Sequence, residues 1–246
     1  MVIFLILYRF MPPTTFIPGI PKIAIVFAKL MINGKNHGLH PFLVTICNEH
    51  GMSAGVSSRR LPPRSDTSPL DYAVTTFNNV LLPPSSFLGN SEALPKDPKA
   101  TLYQYMWRVP VGAMALSVSV TVAMKFVATI GSDYSYRRHV QGTNSTPIPI
   151  ISFRTQQLPV LYATAVSAVL EAWVPHAIGH VMSTDLGPAS QNGAAVVFKA
   201  TVCRILTALA PIVAERLGAQ GTFGHNLLSQ LEVRFHPFIF FFKNPF

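Results

Sequence analysis

Beyond Pro98 the chain is dominated by long apolar stretches that have the spacing of helices. We predict three long helices at about residues 100–130, 153–182 and 189–218, and a short fourth helix at about 224–232. Helices that are apolar over such lengths must bury a face against one another. The C-terminal half is therefore predicted to form an antiparallel four-helix bundle.

The stretch from Lys22 to about Val80 has a different pattern, with short β-branched and aromatic runs between turn residues. KIAIVFAKLMI and LHPFLVTIC predict two strands, and Asn33-Gly34 between them is typical of a hairpin turn. YAVTTFNNVLLP at 72–83 predicts a third strand. A β portion followed by helices is the order of an α+β protein.

Two local features lead to further expectations within the helical half. Pro110 fits a kink better than a first-turn position, and Pro211 falls in the middle of the third long helix. The segment GTNSTPIP at 142–149 is expected to be a loop because it is rich in polar, glycine and proline residues.

Composition raises the question of a membrane protein, because 49% of the residues are hydrophobic and 12% are charged. The most apolar stretches, 109–124, 158–170 and 193–203, are shorter than the ~20 residues that a bilayer span needs. Charged residues such as Lys125 and Glu171 bound them. This favours buried or oligomer-facing helices, so no membrane insertion is expected, and a small membrane protein is the weaker alternative.

The formal net charge of +9 favours acidic small molecules, phosphates or nucleic acid as partners. No nucleic-acid-binding motif accompanies the charge, so a nucleic-acid partner is not expected. The two cysteines are too few for a disulfide framework, and the first residues lack the features of a secretory signal.

Most familiar catalytic and metal motifs are absent from the sequence. His176 and His180 are four residues apart, but Ala177 occupies the place of the glutamate in the zinc-protease motif. We therefore expect no metal site. There is also no GxSxG nucleophile elbow and no GxGxxG or GxxxxGK phosphate loop.

Two neighbouring segments have the residues of an anion site. YSYRRHVQG at 134–142 places two arginines at a predicted helix end, where they either satisfy the helix dipole or clamp a phosphate. FRTQQ at 153–157 opens the next helix with polar side chains, and a helix N-terminus attracts anions.

Taken in order, several blocks resemble the acyl-CoA dehydrogenase and acyl-CoA oxidase flavoprotein family. The strand pair at 22–46 and the segment LDYAVTTFNNVLLPPSSFLG are similar to its barrel strands and exit loop. Tyr134 and Arg138 match its Y-x-x-x-R motif, FRTQQ resembles an F-Q-x-x-Q helix start, and ERLGAQGTFGH resembles its L-G-G-x-G turn. The resemblance implies a partial β-barrel domain followed by the helical bundle.

The same resemblance implies FAD as the cofactor. In the family the first bundle helix ends in an arginine that reaches the FAD diphosphate of a neighbouring subunit, the next helix begins near the adenosine half, and the glycine turn approaches the dinucleotide. The matching residues are Arg138; Phe153, Gln156 and Gln157; and Gly218, Ala219 and Gly221.

The implied activity is α,β-desaturation of an acyl-CoA to a trans-2-enoyl-CoA, within a homodimer or homotetramer. The family's catalytic base is a glutamate in an E-G-[TD] turn beyond the glycine turn. The sequence contains no such turn, and Glu232 lies too near the glycine turn to match it. We therefore predict no catalytic residue and little or no desaturation by this chain. A non-catalytic scaffold or partner subunit is the alternative.

Four segments are expected: an atypical leader at 1–14, a β-domain at 15–98, the bundle at 99–232 and an atypical tail at 233–246. The leader and tail match no element of the family, so we expect a product truncated at both ends. The blocks are most similar to fungal members, including those of fatty-acid-derived or polyketide toxin pathways. A peroxisomal or cytoplasmic location is expected, although the C-terminus is not of the S-K-L type.

Overall fold

The computed structural model describes residues 2–11, 15–62, 72–89, 97–143 and 145–231, and at 2–11 and 98–100 it describes the backbone alone. The chain divides into two compact units between Met106 and Trp107. The expected tail at 233–246 lies outside the described residues, and so do Asp71 and Glu232. The division into four segments stays a prediction.

The first unit contains two antiparallel sheets. One has three strands in the order β1-β5-β4, and the other is the β2-β3 hairpin. The described strands therefore form two small sheets and not a closed barrel. The elements are β1 (Val2–Met11), β2 (Lys22–Ile32), β3 (Lys35–Cys47), β4 (Val56–Arg60), β5 (Ala73–Leu81) and the helix α1 (Pro98–Tyr105).

The β2-β3 hairpin confirms the predicted strand, turn and strand. Asn33 and Gly34 both have positive φ, 50° and 76°, as the two-residue turn of a hairpin requires. The strands pair from Ile23 opposite Thr45 to Ile32 opposite Lys35. One face of β3, with Phe42, Val44 and Ile46, is buried in the same cluster as Val56, Phe77 and Val80 of the other sheet.

The second unit is built around three long helices: α2 (Arg108–Arg137), α3 (Arg154–Met182) and α4 (Pro188–Arg216). They confirm the three predicted long helices. A helical turn at 227–231 falls within the predicted fourth helix, so the described part of the second unit contains three long α-helices and one short turn of α-helix. The four-helix arrangement is not confirmed.

Two local expectations were wrong. Pro110 lies in the first turn of α2, because α2 begins at Arg108, and a proline there removes no helical hydrogen bond. The expected loop at 142–149 is partly a small hairpin, in which β6 (His139–Gln141) pairs with β7 (Pro147–Pro149). Gln141 pairs with Pro147, whose missing N–H is tolerated at a strand end.

The helices pack with α3 antiparallel to both α2 and α4. Near its start, α3 contacts the last turns of α2 and α4 through Gln156, and Lys125 of α2 pairs with Glu171 of α3. Gly131 lies where α2 meets α4, and a Cβ there would come within 2.6 Å of the Val213 side chain. Close contact between these two helices therefore depends on this glycine.

Apolar side chains fill the centre of the bundle, and many others remain exposed. Phe198 is buried and packs edge to face against Trp173. By length and composition, α2, α3 and α4 are each able to cross a bilayer. The core includes Met124, Val127, Ala163, Leu170, Val202, Leu206, Val213, Leu217 and Leu228.

Candidate functional site

The last two turns of α2 present three residues in one stripe. Ile130, Tyr134 and Arg138 are spaced four apart, which places them on one helix face. Arg138 is the first residue after α2, and its N–H still donates to the Tyr134 carbonyl at 2.9 Å, as in a helix. Its side chain is exposed and has no ion-pair partner among the described residues. The guanidinium is therefore free to bind an anion.

The glycine turn follows α4 directly. Gly218 has φ +58°, a backbone conformation that favours glycine, and a Cβ there would meet nothing within 4 Å. The turn is held from within by its own polar side chains. Asn226 Nδ2 donates to the Gln220 carbonyl and Thr222 Oγ1 to the Ala219 carbonyl, both at 2.8 Å. The result is a turn that is held by its own hydrogen bonds and has open space beside Gly218.

Gly221 has a different environment in the same turn. A Cβ at this position would overlap the carbonyl group of Ala214 in the last turns of α4. Ser229 Oγ also donates to the Gly221 carbonyl. The lack of a side chain at Gly221 thus lets the turn fold back on its own helix, and a role toward a dinucleotide stays a prediction.

These elements enclose a groove of about 620 Å³. One wall is the stripe on α2, and the other is the stretch from Leu217 to Gln220, with Asn226 beside it. The groove therefore brings together Arg138, Gly218 and Ala219, three of the residues that the family resemblance assigns to FAD. Its lining is Ile130, Tyr134, Arg138, Leu217, Gly218, Ala219, Gln220 and Asn226.

The other predicted residues lie at the start of α3 and do not line this groove. Phe153 is exposed and stands at the residue before the helix, where its carbonyl accepts the N–H of Gln157 at 3.0 Å. Gln157 is half-buried. Gln156 is 8% exposed, and its amide bonds to Ser135 and to the Arg216 carbonyl. Gln156 therefore sits among the helix ends.

Sequence reasoning missed Gln220 and Asn226, which also line the groove. Asn226 precedes the helical turn at 227–231, and its side-chain oxygen accepts the N–H of Leu228 at 2.9 Å. An asparagine just before an apolar helical run is a common N-cap, so this signal was present in the sequence. Gln220 has no comparable local signal.

Positive charge predominates where α2 and α4 end and α3 begins. Arg137, Arg138, Arg154 and Arg216 are within one residue of these helix ends. The Nη2 atom of Arg216 is 3.5 Å from Oε2 of Glu215. Its Nε atom is buried and has no hydrogen-bond partner among the described residues. Arginines at a helix C-terminus are also favoured by the helix dipole. The charge of this end suits an anionic ligand.

Two residues with shifted pKa values lie elsewhere on α4. Burial lowers the pKa of Lys199 and raises the pKa of Cys203, which is one turn further along the helix. Both are at least about 20 Å along α4 from the glycine turn, given a rise of 1.5 Å per residue. These shifts therefore reflect packing within the bundle and not the chemistry of the groove.

His176 and His180 are both exposed near the end of α3. Within the described ranges, no group of three or more histidine, cysteine or carboxylate side chains is placed to hold a metal ion.

Comparison with known proteins identifies the architecture. A scan of protein-family models and a search of curated proteins give no match to the sequence. Among solved structures, Arabidopsis thaliana acyl-CoA oxidase 1 superposes with a TM-score of 0.67 over 89% of this chain, at 18% identity. The chain has the acyl-CoA oxidase and dehydrogenase fold.

Two further structures with this fold come from other kinds of organism. Caenorhabditis elegans acyl-CoA oxidase-1, solved in complex with FAD and ATP, matches with a TM-score of 0.64 over 87% of this chain at 17% identity. Butyryl-CoA dehydrogenase from Megasphaera elsdenii matches with a TM-score of 0.58 over 87% of the chain at 16% identity. The resemblance predicted from the sequence is thereby confirmed at the level of the fold.

The chain spans only part of these proteins. It covers 36% of the Arabidopsis oxidase, 33% of the Caenorhabditis oxidase and 50% of the Megasphaera dehydrogenase. At such low identity the likeness concerns the fold alone, and ligands and activity need separate support.

Proposed function

We propose that this chain binds FAD at the groove between the end of α2 and the glycine turn, as part of an acyl-CoA oxidoreductase. The observation that carries the proposal is that Arg138 and the turn at Gly218 and Ala219 line the same groove. These residues come from segments about 80 positions apart in the sequence. The shared fold supports the same assignment.

The residues present fit a dinucleotide. Arg138 offers a planar fork of N–H donors that suits phosphate oxygens. Gly218 has open space where another residue would carry a side chain, so a ligand is able to approach the main chain. Tyr134 and Ile130 supply an aromatic and an apolar surface on the same wall.

Bound FAD would supply a two-electron acceptor, which is the redox chemistry that desaturation of an acyl-CoA to a trans-2-enoyl-CoA needs. The chain's own contribution at this groove would be binding: Arg138 would hold an anionic oxygen, and Gly218 would leave the main chain open to the ligand. Among the residues that the structure describes, none that lines the groove is a carboxylate. We therefore expect binding without efficient proton abstraction from an acyl-CoA.

The experiment is flavin binding by the purified chain, followed by dye reduction with an acyl-CoA. We expect the protein to carry or take up FAD with a flavin absorption band, and to reduce the dye slowly or not at all. Folded protein that takes up no FAD would refute the proposed binding. Rapid dye reduction would refute the expected lack of desaturation.

A second candidate is a non-catalytic scaffold with the same fold, favoured because no carboxylate is among the described residues of the groove lining. Stable oligomers that bind no flavin would support it.

Purification without detergent tests the remaining alternative of a membrane protein, because α2, α3 and α4 have the length and composition of bilayer spans. A peroxisomal or cytoplasmic location is part of the main proposal, as is completion of the bundle by a fourth helix.

We further propose that the chain forms a homodimer or homotetramer through the exposed face of α3. Leu158, Tyr162 and Val169 follow helical spacing on this face and are 41%, 62% and 66% exposed. A contiguous apolar face of this kind marks an interaction surface.

The substitution Val169→Lys tests this surface. It places a charge in the middle of the proposed contact, and an unpaired charge is costly to bury, so we expect the oligomer to dissociate. Sedimentation of the full chain measures the change, with Thr164→Lys as a control at another exposed position of α3. An unchanged mass for Val169→Lys would exclude α3 as the interface.

A further inference from the structure

Gln156 forms a buried hydrogen-bond network at the start of α3. Its Nε2 atom donates to Ser135 Oγ at 2.8 Å and to the Arg216 carbonyl oxygen at 3.2 Å. Ser135 Oγ in turn donates to the Gly131 carbonyl at 2.6 Å. Both amide hydrogens of Gln156 are therefore used within the chain, and the network joins α3 to α2 and α4.

The two partners of Gln156 are sequence neighbours of the two walls of the groove. Ser135 follows Tyr134 and lies three residues before Arg138, both of which line the first wall. Arg216 immediately precedes Leu217, where the second wall begins. A single planar amide with two N–H groups thus bonds to the supports of both walls.

The surroundings of residue 156 require a hydrogen-bond donor at this position. The carbonyl of Arg216 is among the last four of α4, which have no partner within the helix. Ser135 is fully buried, and polar groups in such places are normally hydrogen-bonded. A hydrocarbon side chain at 156 would leave both acceptors without the donor that now joins them.

We infer that Gln156 is a positioning residue that sets the separation of the groove walls, and that it does so without contacting the ligand. The family resemblance assigns Gln156 to the adenosine half of FAD, whereas the network gives it a role through Ser135 and Arg216. The expected effect of Gln156 on FAD binding rests on the proposed function.

The test compares Gln156→Leu with Gln191→Leu in the full chain. Gln191 is a matched control because its Nε2 also donates to a carbonyl at a helix end, that of Ser183 at 2.6 Å, at the opposite end of α3. Both changes remove an amide that joins helices, so both are expected to lower the melting temperature. Only Gln156→Leu is expected to weaken FAD binding, by about fivefold, the effect expected if the displaced walls lose one hydrogen bond to the ligand.

Hydrogen exchange of the same variants without ligand gives a second readout. We expect faster amide exchange at 134–141 and 217–222 in Gln156→Leu and unchanged exchange there in Gln191→Leu. Equal FAD affinity in wild type and Gln156→Leu, or equal exchange of the walls in the two variants, would overturn the inference. Wild-type protein that binds no FAD would refute the proposed function instead. In that case the amide exchange of the groove walls in Gln156→Leu and Gln191→Leu still tests whether Gln156 positions the walls.

Discussion

Replacing Arg138 with alanine is expected to weaken FAD binding by about 10- to 100-fold, the effect of losing a hydrogen bond to a charged group. The side chain is exposed at the end of α2 and makes no ion pair among the described residues, so its removal should cost the fold little. Titration of the purified chain with FAD measures the affinity, and thermal unfolding of the same samples measures the stability.

The adjacent arginine provides the control for charge. Arg137 is the last residue of α2 and is also exposed, but it does not line the groove. Arg137→Ala removes the same charge from this end of the bundle and is expected to change FAD affinity less than threefold, about the effect of an exposed charge. Arg138→Lys keeps the charge and loses the planar fork, so an intermediate affinity is expected. Equal losses in Arg137→Ala and Arg138→Ala would reduce the role of Arg138 to its charge alone.

Features governed by local chemistry were predictable from the sequence. The long helices follow from apolar spacing, and Asn33-Gly34 supplies the positive φ angles of the hairpin turn. The start of α2 was misplaced because residues 98–105 are also helical, yet form the separate helix α1. A turn at Met106 and Trp107 divides the two helices, and no glycine or proline marks it in the sequence.

The candidate site was predictable only where its residues lie in recognisable local segments. The Y-x-x-x-R pattern and the glycine turn identified Arg138, Gly218 and Ala219, because each lies in a recognisable local segment. The environments of Gln156 and Gly221 depend on contacts across the fold. Gln156 bonds to Arg216, 60 residues away, and Gly221 meets the carbonyl of Ala214 only because the turn folds back on α4. Periodicity and motif spacing carry no information about such contacts.

The glycine turn should respond differently at its two positions. Gly221→Ala is expected to lower the free energy of unfolding by about 3 kcal/mol, because the new methyl group would overlap a backbone carbonyl that is held within α4. Gly218→Ala should cost about 1 kcal/mol, the strain of a left-handed backbone conformation, because nothing lies within 4 Å of the new methyl group. Denaturant unfolding of the two variants measures both effects.

When each variant is measured below its unfolding transition, Gly218→Ala should lose more affinity for FAD than Gly221→Ala, although it loses less stability. In Gly218→Ala the methyl group projects into open space beside the groove, where it obstructs a ligand that approaches the main chain. In Gly221→Ala the methyl group faces the chain's own helix, so the folded fraction should still bind FAD. A larger loss of affinity in Gly221→Ala, with stability preserved, would instead place the ligand at Gly221. The pair of glycines would therefore separate the part of the turn that is proposed to meet FAD from the part that closes the fold.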